Sequence, residues 1–347
     1  MINENFNNIQ VPDGIDSTIE NAVLKAVNDK KLRKPKKIKI ASIAVSASFA
    51  VLFTLGYSNP AFAAKLPIVG SVFESIEKNI YFPGNYSEYS TSVNKSAVSN
   101  GIKITMSDIL CDGQSLYVTY KIESPTKFKY TSWGDKPLTM NQLMTSEAYK
   151  KVSFSNKELD DSGFAGLEGK FLDENTFIGM EKYNLDSLGT DIPDNFDFQV
   201  KLTTVGTHGL NMNDKDQYFD GTWAFKVPVK VDKSLIKNIT ISDAEANGQK
   251  IQSISTTPFQ LMIKTSHPKN DAGTFNDIRV YDDKGNEFRP DSGRIEDGIE
   301  TSLFAAPSKD TKSIRIIIYK GTLKEASSNN PKNLKDLILL DKTVPLN

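Results

Sequence analysis

From Ile40 to Tyr57 the chain reads IASIAVSASFAVLFTLGY, eighteen residues without a charge. As a helix at about 1.5 Å per residue this run spans roughly 27 Å, close to the hydrocarbon core of a bilayer. A soluble core helix carries a polar face at helical spacing, whereas here small and apolar residues run all the way round. The serines and Thr54 can bond back to helix carbonyls, and Gly56 is tolerated in lipid. A transmembrane helix is therefore expected over 40–58, with Ile40, Phe49, Leu52, Phe53 and Tyr57 among its membrane residues.

The flanks set the orientation. Seven cations lie within Lys30 to Lys39, while the far side offers Lys65, Glu74, Glu77 and Lys78. Positive charge stays inside, which puts the N-terminus in the cytoplasm and the remainder outside the cell membrane. Charge divides accordingly: residues 1–39 hold eight cations against five acids, and the rest holds 34 cations against 38 acids. The competing reading is a signal peptide cleaved at Ala61-Phe62-Ala63, which has the small-x-small form. A 39-residue leader and an apolar run longer than a usual signal core favour a retained anchor.

In the expected cytoplasmic tail, 1–39, apolar residues recur at Ile15, Ile19, Ala22, Val23, Ala26 and Val27, with Asp13 or Asp16 available to cap an amphipathic helix. About twenty residues cannot enclose a core, so this stripe must face the membrane, another copy or a protein partner. The KKLRKPKKIK cluster abuts the span and lacks interleaved aromatics, which suits anionic lipid headgroups and not nucleic acid.

Beyond the span, Asn59-Pro60 ends the helix, and LPIVGSVFESIEKNIY repeats apolar residues at Val69, Val72, Phe73, Ile76 and Ile80. A short amphipathic helix within 65–90 is expected, either covering the following domain or coupling it to the membrane. Strand signals follow. Ile102, Ile104 and Met106 alternate with polar residues, Asp112-Gly113 punctuates, and Leu116, Val118, Tyr120 and Ile122 alternate again. Further alternating runs are Phe128 to Tyr130, Val152 to Phe154, Phe196 to Leu202, Trp223 to Val229, Phe259 to Ile263, Ile278 to Val280 and Ile314 to Ile318. Short strands between frequent turn signals indicate antiparallel sandwiches, and the length allows two, over 91–231 and 232–347. With 38% hydrophobic and 24% charged residues, nothing in the composition forces disorder on this part.

The residues supply little catalytic chemistry. The two histidines, His208 and His267, are far apart in polar settings, and both are expected at the surface. No GxSxG, P-loop, GxGxxG or HExxH string occurs. The acids Asp160-Asp161 carry meaning only with a defined separation, and Asp214, Asp216 and Asp220 miss the spacing of a helix-loop-helix calcium site. Cys111 stands alone, so no intramolecular disulfide forms, and its apolar strand setting predicts a buried, inert thiol. No enzyme activity, cofactor or metal is expected.

The order of features carries a resemblance. The VP-containing tail helix, KKLRKPKK, the single span, NPAFAAKLPIVGSVFE and GIKITMSDILCDGQSLYVTYKIES together resemble a family of Gram-positive membrane proteins of unknown function, often regarded as anti-sigma-factor-like. The block from GTWAFKVPVKV through NITISDAEANGQKIQSISTTPFQLMIKTS resembles the immunoglobulin-like C-terminal domain that accompanies it. The resemblance implies that Ile15, Ile19, Val23 and Val27 contact an extracytoplasmic-function sigma factor while the outer domains sense the cell envelope. The expected fold class is thus mainly β: two antiparallel immunoglobulin-like β-sandwiches outside the membrane, preceded by a cytoplasmic amphipathic helix and one transmembrane helix. The alternative is an envelope-anchored or secreted binding or adhesion module without a signalling role.

Overall fold

The computed structural model describes residues 71–346 apart from 79, 130–140, 162–165, 208–215, 243, 269–273 and 323–336. The expected tail helix, the span over 40–58 and Ala61-Phe62-Ala63 lie outside these residues. No helix among the described residues is long and apolar enough to cross a membrane. What is described is mainly β, with two short α-helices at its start: α1 (Val72–Ile76) and α2 (Tyr86–Tyr89).

The first half is a nine-stranded antiparallel sheet. Its strands are β1 (Thr91–Ser99), β2 (Ile102–Cys111), β3 (Ser115–Glu123), β4 (Asn141–Val152), β5 (Asp160–Asp161), β6 (Leu167–Asp173), β7 (Thr176–Asn184), β8 (Asn195–Thr207) and β9 (Gln217–Lys230). The order is β1-β2-β3-β7-β6-β4-β8-β9, with β5 on β7. The long strand β4 joins two parts of the sheet: residues 141–143 pair with β6, and residues 144–152 pair with β8. Its inward face is built by alternation. Trp223, Phe225, Val227 and Val229 of β9 are buried while Ala224, Lys226, Pro228 and Lys230 between them are exposed.

The two edge strands of this sheet meet without a ladder. Lys95 of β1 donates its ammonium to Lys226 O at 2.9 Å, Thr222 N donates to Ser99 Oγ at 3.0 Å, and Asn100 Nδ2 donates to Asp220 O at 2.7 Å. Backbone groups that an open edge leaves unpaired are thereby satisfied by side chains of the opposite edge. The fully buried Trp223 joins the same seam, donating Nε1–H to Ile102 O at 3.0 Å. Between β6 and β7, Gly169 faces Gly179, and a Cβ on Gly169 would lie 1.9 Å from Ile178 O. Only glycine permits that approach.

The second half has two antiparallel sheets. One contains β10 (Lys237–Ile239), β11 (Glu245–Ala246), β12 (Gln249–Thr256), β13 (Gln260–Ser266), β15 (Pro290–Glu296) and β16 (Ile299–Ala305); the other contains β14 (Thr274–Asp282), β17 (Ser313–Thr322) and β18 (Ile338–Pro345). Ile251, Ile254, Leu261 and Ile263 from the first sheet share one hydrophobic core with Val280, Ile314, Ile316 and Ile318 from the second.

The structure refines the sequence-based expectations, and the run Val152 to Phe154 leaves its strand at Val152 and turns. Phe128 is buried against Phe171 and Phe219 but lies in a loop, since no strand covers residues 124–129. Within LPIVGSVFESIEKNIY the described helix is the short α1, which packs on the first half as a cover, and Ile80, beyond its end, is buried with it. His267 is not a surface side chain: it is 8% exposed, with Nε2 3.6 Å from Glu300.

Candidate functional site

Residues from Val72 to Tyr86 converge on a buried junction between the two halves. Val72, Phe73 and Ile76 of α1, Ile80, and Tyr86 of α2 pack with Leu110 and Tyr117 from the β2–β3 hairpin, Ile178 and Met180 from β7, and Phe259 from the second half. Tyr86 stacks with Phe73 at 5.6 Å and with Phe259 at 4.6 Å, measured between ring centroids. Tyr117 tilts against both Tyr86 and Phe259. Aromatic groups at these separations combine large apolar burial with favourable quadrupole contact.

Local chemistry explains why so short a helix holds. Ser71 caps α1 by accepting from Phe73 N at 3.1 Å, and the buried Asp108 of β2 accepts from Val72 N at 2.9 Å. Glu77 ends α1 and reaches α2, accepting from Ser87 N at 2.9 Å and from Ser87 Oγ at 3.1 Å. Tyr86 OH donates to Phe82 O at 3.0 Å. A helix of this length has no independent stability, so these side chains and the junction hold it in place.

Around this apolar centre lies a polar ring that crosses between the halves. Asp112 is fully buried in the β2–β3 turn; Oδ1 accepts from Gln114 N at 2.9 Å and Ser115 N at 2.7 Å, and Oδ2 accepts from Thr257 Oγ1 at 2.7 Å. Burial raises its carboxyl above the ordinary range, against the opposing pull of these hydrogen bonds. Gln114 donates to Ser255, Ser115 donates to Gln260, and Gln260 donates back to Gln114. Further along, the buried pair Lys182 and Asp291 joins β7 to β15. Asp186, in the 3-10 turn Leu185–Leu188, binds both Lys264 and Arg294 of the second half.

Glu168 of β6 occupies the other side of the ring. It accepts from Tyr81 N, and Arg289 donates to Tyr81 O while its guanidinium lies 4.0 Å from the Tyr81 ring centroid. Burial lifts the Glu168 carboxyl from an ordinary 4.5 to about 7, with Asp291 adding to the rise and the Tyr81 N–H and Arg289 opposing it. A cavity of about 20 Å³ beside it, room for one water, is lined by Glu168, Glu181, Lys182 and Asp291 together with Phe82 and Phe259.

A second feature opens on the outer face of β1, β2 and β3. This groove of about 620 Å³ is lined by hydroxyls, among them Ser71, Ser87 and Ser90 on the helical side and Ser96 and Thr105 on the strands. Glu123 pairs there with Lys121 at 2.9 Å and Lys103 at 3.2 Å. Burial alone raises its carboxyl; the two lysines outweigh that and leave it below the ordinary range.

The site residues expected from the sequence fall mostly elsewhere. Ile15, Ile19, Val23 and Val27, and the span residues from Ile40 to Tyr57, lie outside the described residues. Asp160 pairs through its backbone with Asn184, and Asp216 and Asp220 bind Tyr218 and Thr204. Among the described residues no three His, Cys, Asp or Glu side chains are grouped to hold a metal. The cross-junction residues Asp112, Lys182, Asp291 and Glu168 escaped the sequence reading, because nothing local distinguishes a buried partnered charge from a solvated one.

Comparison with known proteins adds a family-level match. A domain of unknown function, DUF4179, matches residues 33–124. That stretch runs from the basic cluster through the expected span to the β2–β3 hairpin. No curated protein matches the chain. Among solved structures, a conserved domain protein from Bacillus anthracis is similar at 21% identity, with a TM-score of 0.48 over 81% of this chain and all of that one. The N-terminal periplasmic domain of ScsB from Proteus mirabilis aligns at 8% identity and a TM-score of 0.17, over 74% of this chain and 98% of that one.

Proposed function

We propose that the chain is a single-pass membrane regulator of the anti-sigma type. In this reading the helix bearing Ile15, Ile19, Val23 and Val27 holds an extracytoplasmic-function sigma factor in the cytoplasm, 40–58 spans the membrane, and two immunoglobulin-like sandwiches over 91–231 and 232–347 face the envelope. One observation supports it most: the segment that follows the apolar run is buried where the two β halves meet, through Phe73, Ile76 and Tyr86. In this reading a rearrangement of one half against the other acts on that segment, which both halves bury.

The test is co-purification of the full chain with candidate sigma factors from membranes. Wild type should retain the partner, and Ile19→Asp with Val23→Asp should release it without changing the amount of membrane-bound protein. Failure of wild type to retain any such factor overturns the reading. The groove lined by Ser96 and Thr105 favours the second reading, an envelope binding module; there, deletion of residues 2–28 leaves the cellular phenotype intact.

A further inference from the structure

Lys182 of β7 and Asp291 of β15 form an ion pair between the two halves that almost no water reaches: the lysine side chain is 9% exposed and the aspartate 1%. The Lys182 ammonium lies 5.9 Å from the ring centroids of both Phe82 and Tyr117, and Tyr86 and Phe259 line the space beside the pair. Asp291 Oδ1 is buried and accepts no hydrogen bond. One carboxylate oxygen is thus held on the ammonium while the other is left without a donor, which is costly for a purely structural ion pair. A third group shares the space. Glu168 of β6 stands opposite Met180, on the face of β7 that Ile178, Met180 and Lys182 share, and is therefore the diagonal neighbour of Lys182. The cavity of about 20 Å³ that Glu168, Lys182 and Asp291 line has room for one water. The side chain of Glu181 alternates to the opposite face of β7, with Phe177 and Tyr183. With Cys111 as the single cysteine, no disulfide can fasten the halves.

We propose that Lys182 and Asp291 condense to an amide, a covalent cross-link between β7 and β15. Lys182 Nζ attacks Asp291 Cγ; the Nζ–Cγ bond forms, one Cγ–O bond breaks, and that oxygen leaves as water with two of the three ammonium protons. The third proton stays on the amide nitrogen. Ammonium and carboxylate cancel in charge, so amide and water are the only products, and no oxidant, reductant or activated co-reactant is needed. The attack requires a neutral amine, which the ion pair yields by passing one proton away. Glu168 is the group placed to carry it: it takes a proton from Nζ, hands one to the departing oxygen, and ends unchanged. Burial lifts its carboxyl to about 7, so near neutral pH it is divided between donor and acceptor forms. Folding holds nucleophile and carbon together, which replaces an encounter in solution by an effectively unimolecular step. The aromatic walls withhold the hydration that makes separated ions the stable state in water, and the cavity receives the single water released. The bond depends on neither functional reading, since only the fold of the two halves enters.

Intact-mass spectrometry of the full chain, purified in detergent micelles and then denatured, tests the bond. The chain should be lighter than its sequence by one water. Acylation of Lys182 also stops trypsin there, so a branched peptide should join Phe171–Lys201 to Gly285–Arg294. Full sequence mass overturns the proposal. So does a lost water without that branched peptide, because a succinimide at an Asp-Gly step such as Asp112-Gly113 accounts for the same mass. Lys182→Arg keeps the positive charge but offers no condensing amine, and should restore full mass; a loss that persists in it overturns the assignment. Glu168→Gln keeps an acceptor for Tyr81 N–H but relays no proton. With its fold verified by protection of Cys111 from iodoacetamide, its condensation after cell-free synthesis should be about a hundredfold slower than in wild type. An unchanged rate removes Glu168 from the reaction. The wild-type mass and branched peptide decide the bond even where a variant fails to fold.

Discussion

Thr257 donates its hydroxyl proton to Asp112 at 2.7 Å, across the boundary between the two β halves, and both side chains are buried. The turn that joins β2 to β3 is thereby also a fastening point for the second half. Thr257→Val keeps the shape and removes the donor to a buried carboxylate. It should cost roughly 1.5–3 kcal/mol in denaturant unfolding. Asp112→Asn carries a pH signature. Burial raises Asp112 above the ordinary 3.8, so its ionised form opposes folding as pH rises. The midpoint of Asp112→Asn relative to wild type should therefore be higher at pH 8 than at pH 4.

Phe73 and Phe259 both stack on Tyr86, one from the segment after the expected span and one from the second half. Truncating either to alanine removes a buried ring and should destabilise by about 3–5 kcal/mol. Because both losses act through one shared ring, the double variant should cost less than the two single losses combined. Additivity within about 0.5 kcal/mol would mean that the stack is not a unit.

Cys111 closes β2 with 1% of its surface exposed, and burial pushes its thiol up to about 12, far from the thiolate that reacts. The native chain should resist alkylation by iodoacetamide at pH 8 and label fully in denaturant. Labelling of the native protein within minutes would place the thiol in a different environment.

How much of this was legible depended on how many faces of a strand are covered. Strands β8 and β9 bury one face, so Phe196 to Leu202 and Trp223 to Val229 advertise themselves by alternation. Strand β7 buries both: Phe177 and Tyr183 point into the first core, while Ile178 and Met180 serve the junction. Its sequence, TFIGMEKYN, therefore shows no period, and it escaped notice although it is central to the sheet. The β2–β3 hairpin was readable because Ile102, Ile104, Leu116 and Val118 alternate around Asp112-Gly113. Thr119 and Tyr117 on its other face gave no sign that Asp108 and α1 would cover them. Cross-junction pairs such as Lys182 and Asp291 are 109 residues apart, and only topology brings them together.

Trp223 decides whether the seam between β1 and β9 is structural. Its ring is fully buried, its Nε1–H satisfies Ile102 O, and a Cβ on Gly221 would lie 2.4 Å from the ring, so the neighbouring backbone is shaped around it. Trp223→Phe leaves that buried carbonyl without its donor and opens space in the first core. Together these should cost roughly 2–4 kcal/mol. Lys95→Met severs the bond to Lys226 O but leaves an exposed carbonyl that water can satisfy, so its cost should stay below about 1 kcal/mol. Equilibrium unfolding of both variants checks the contrast. If Lys95→Met were as damaging as Trp223→Phe, the seam would depend on the edge contacts more than on the buried indole.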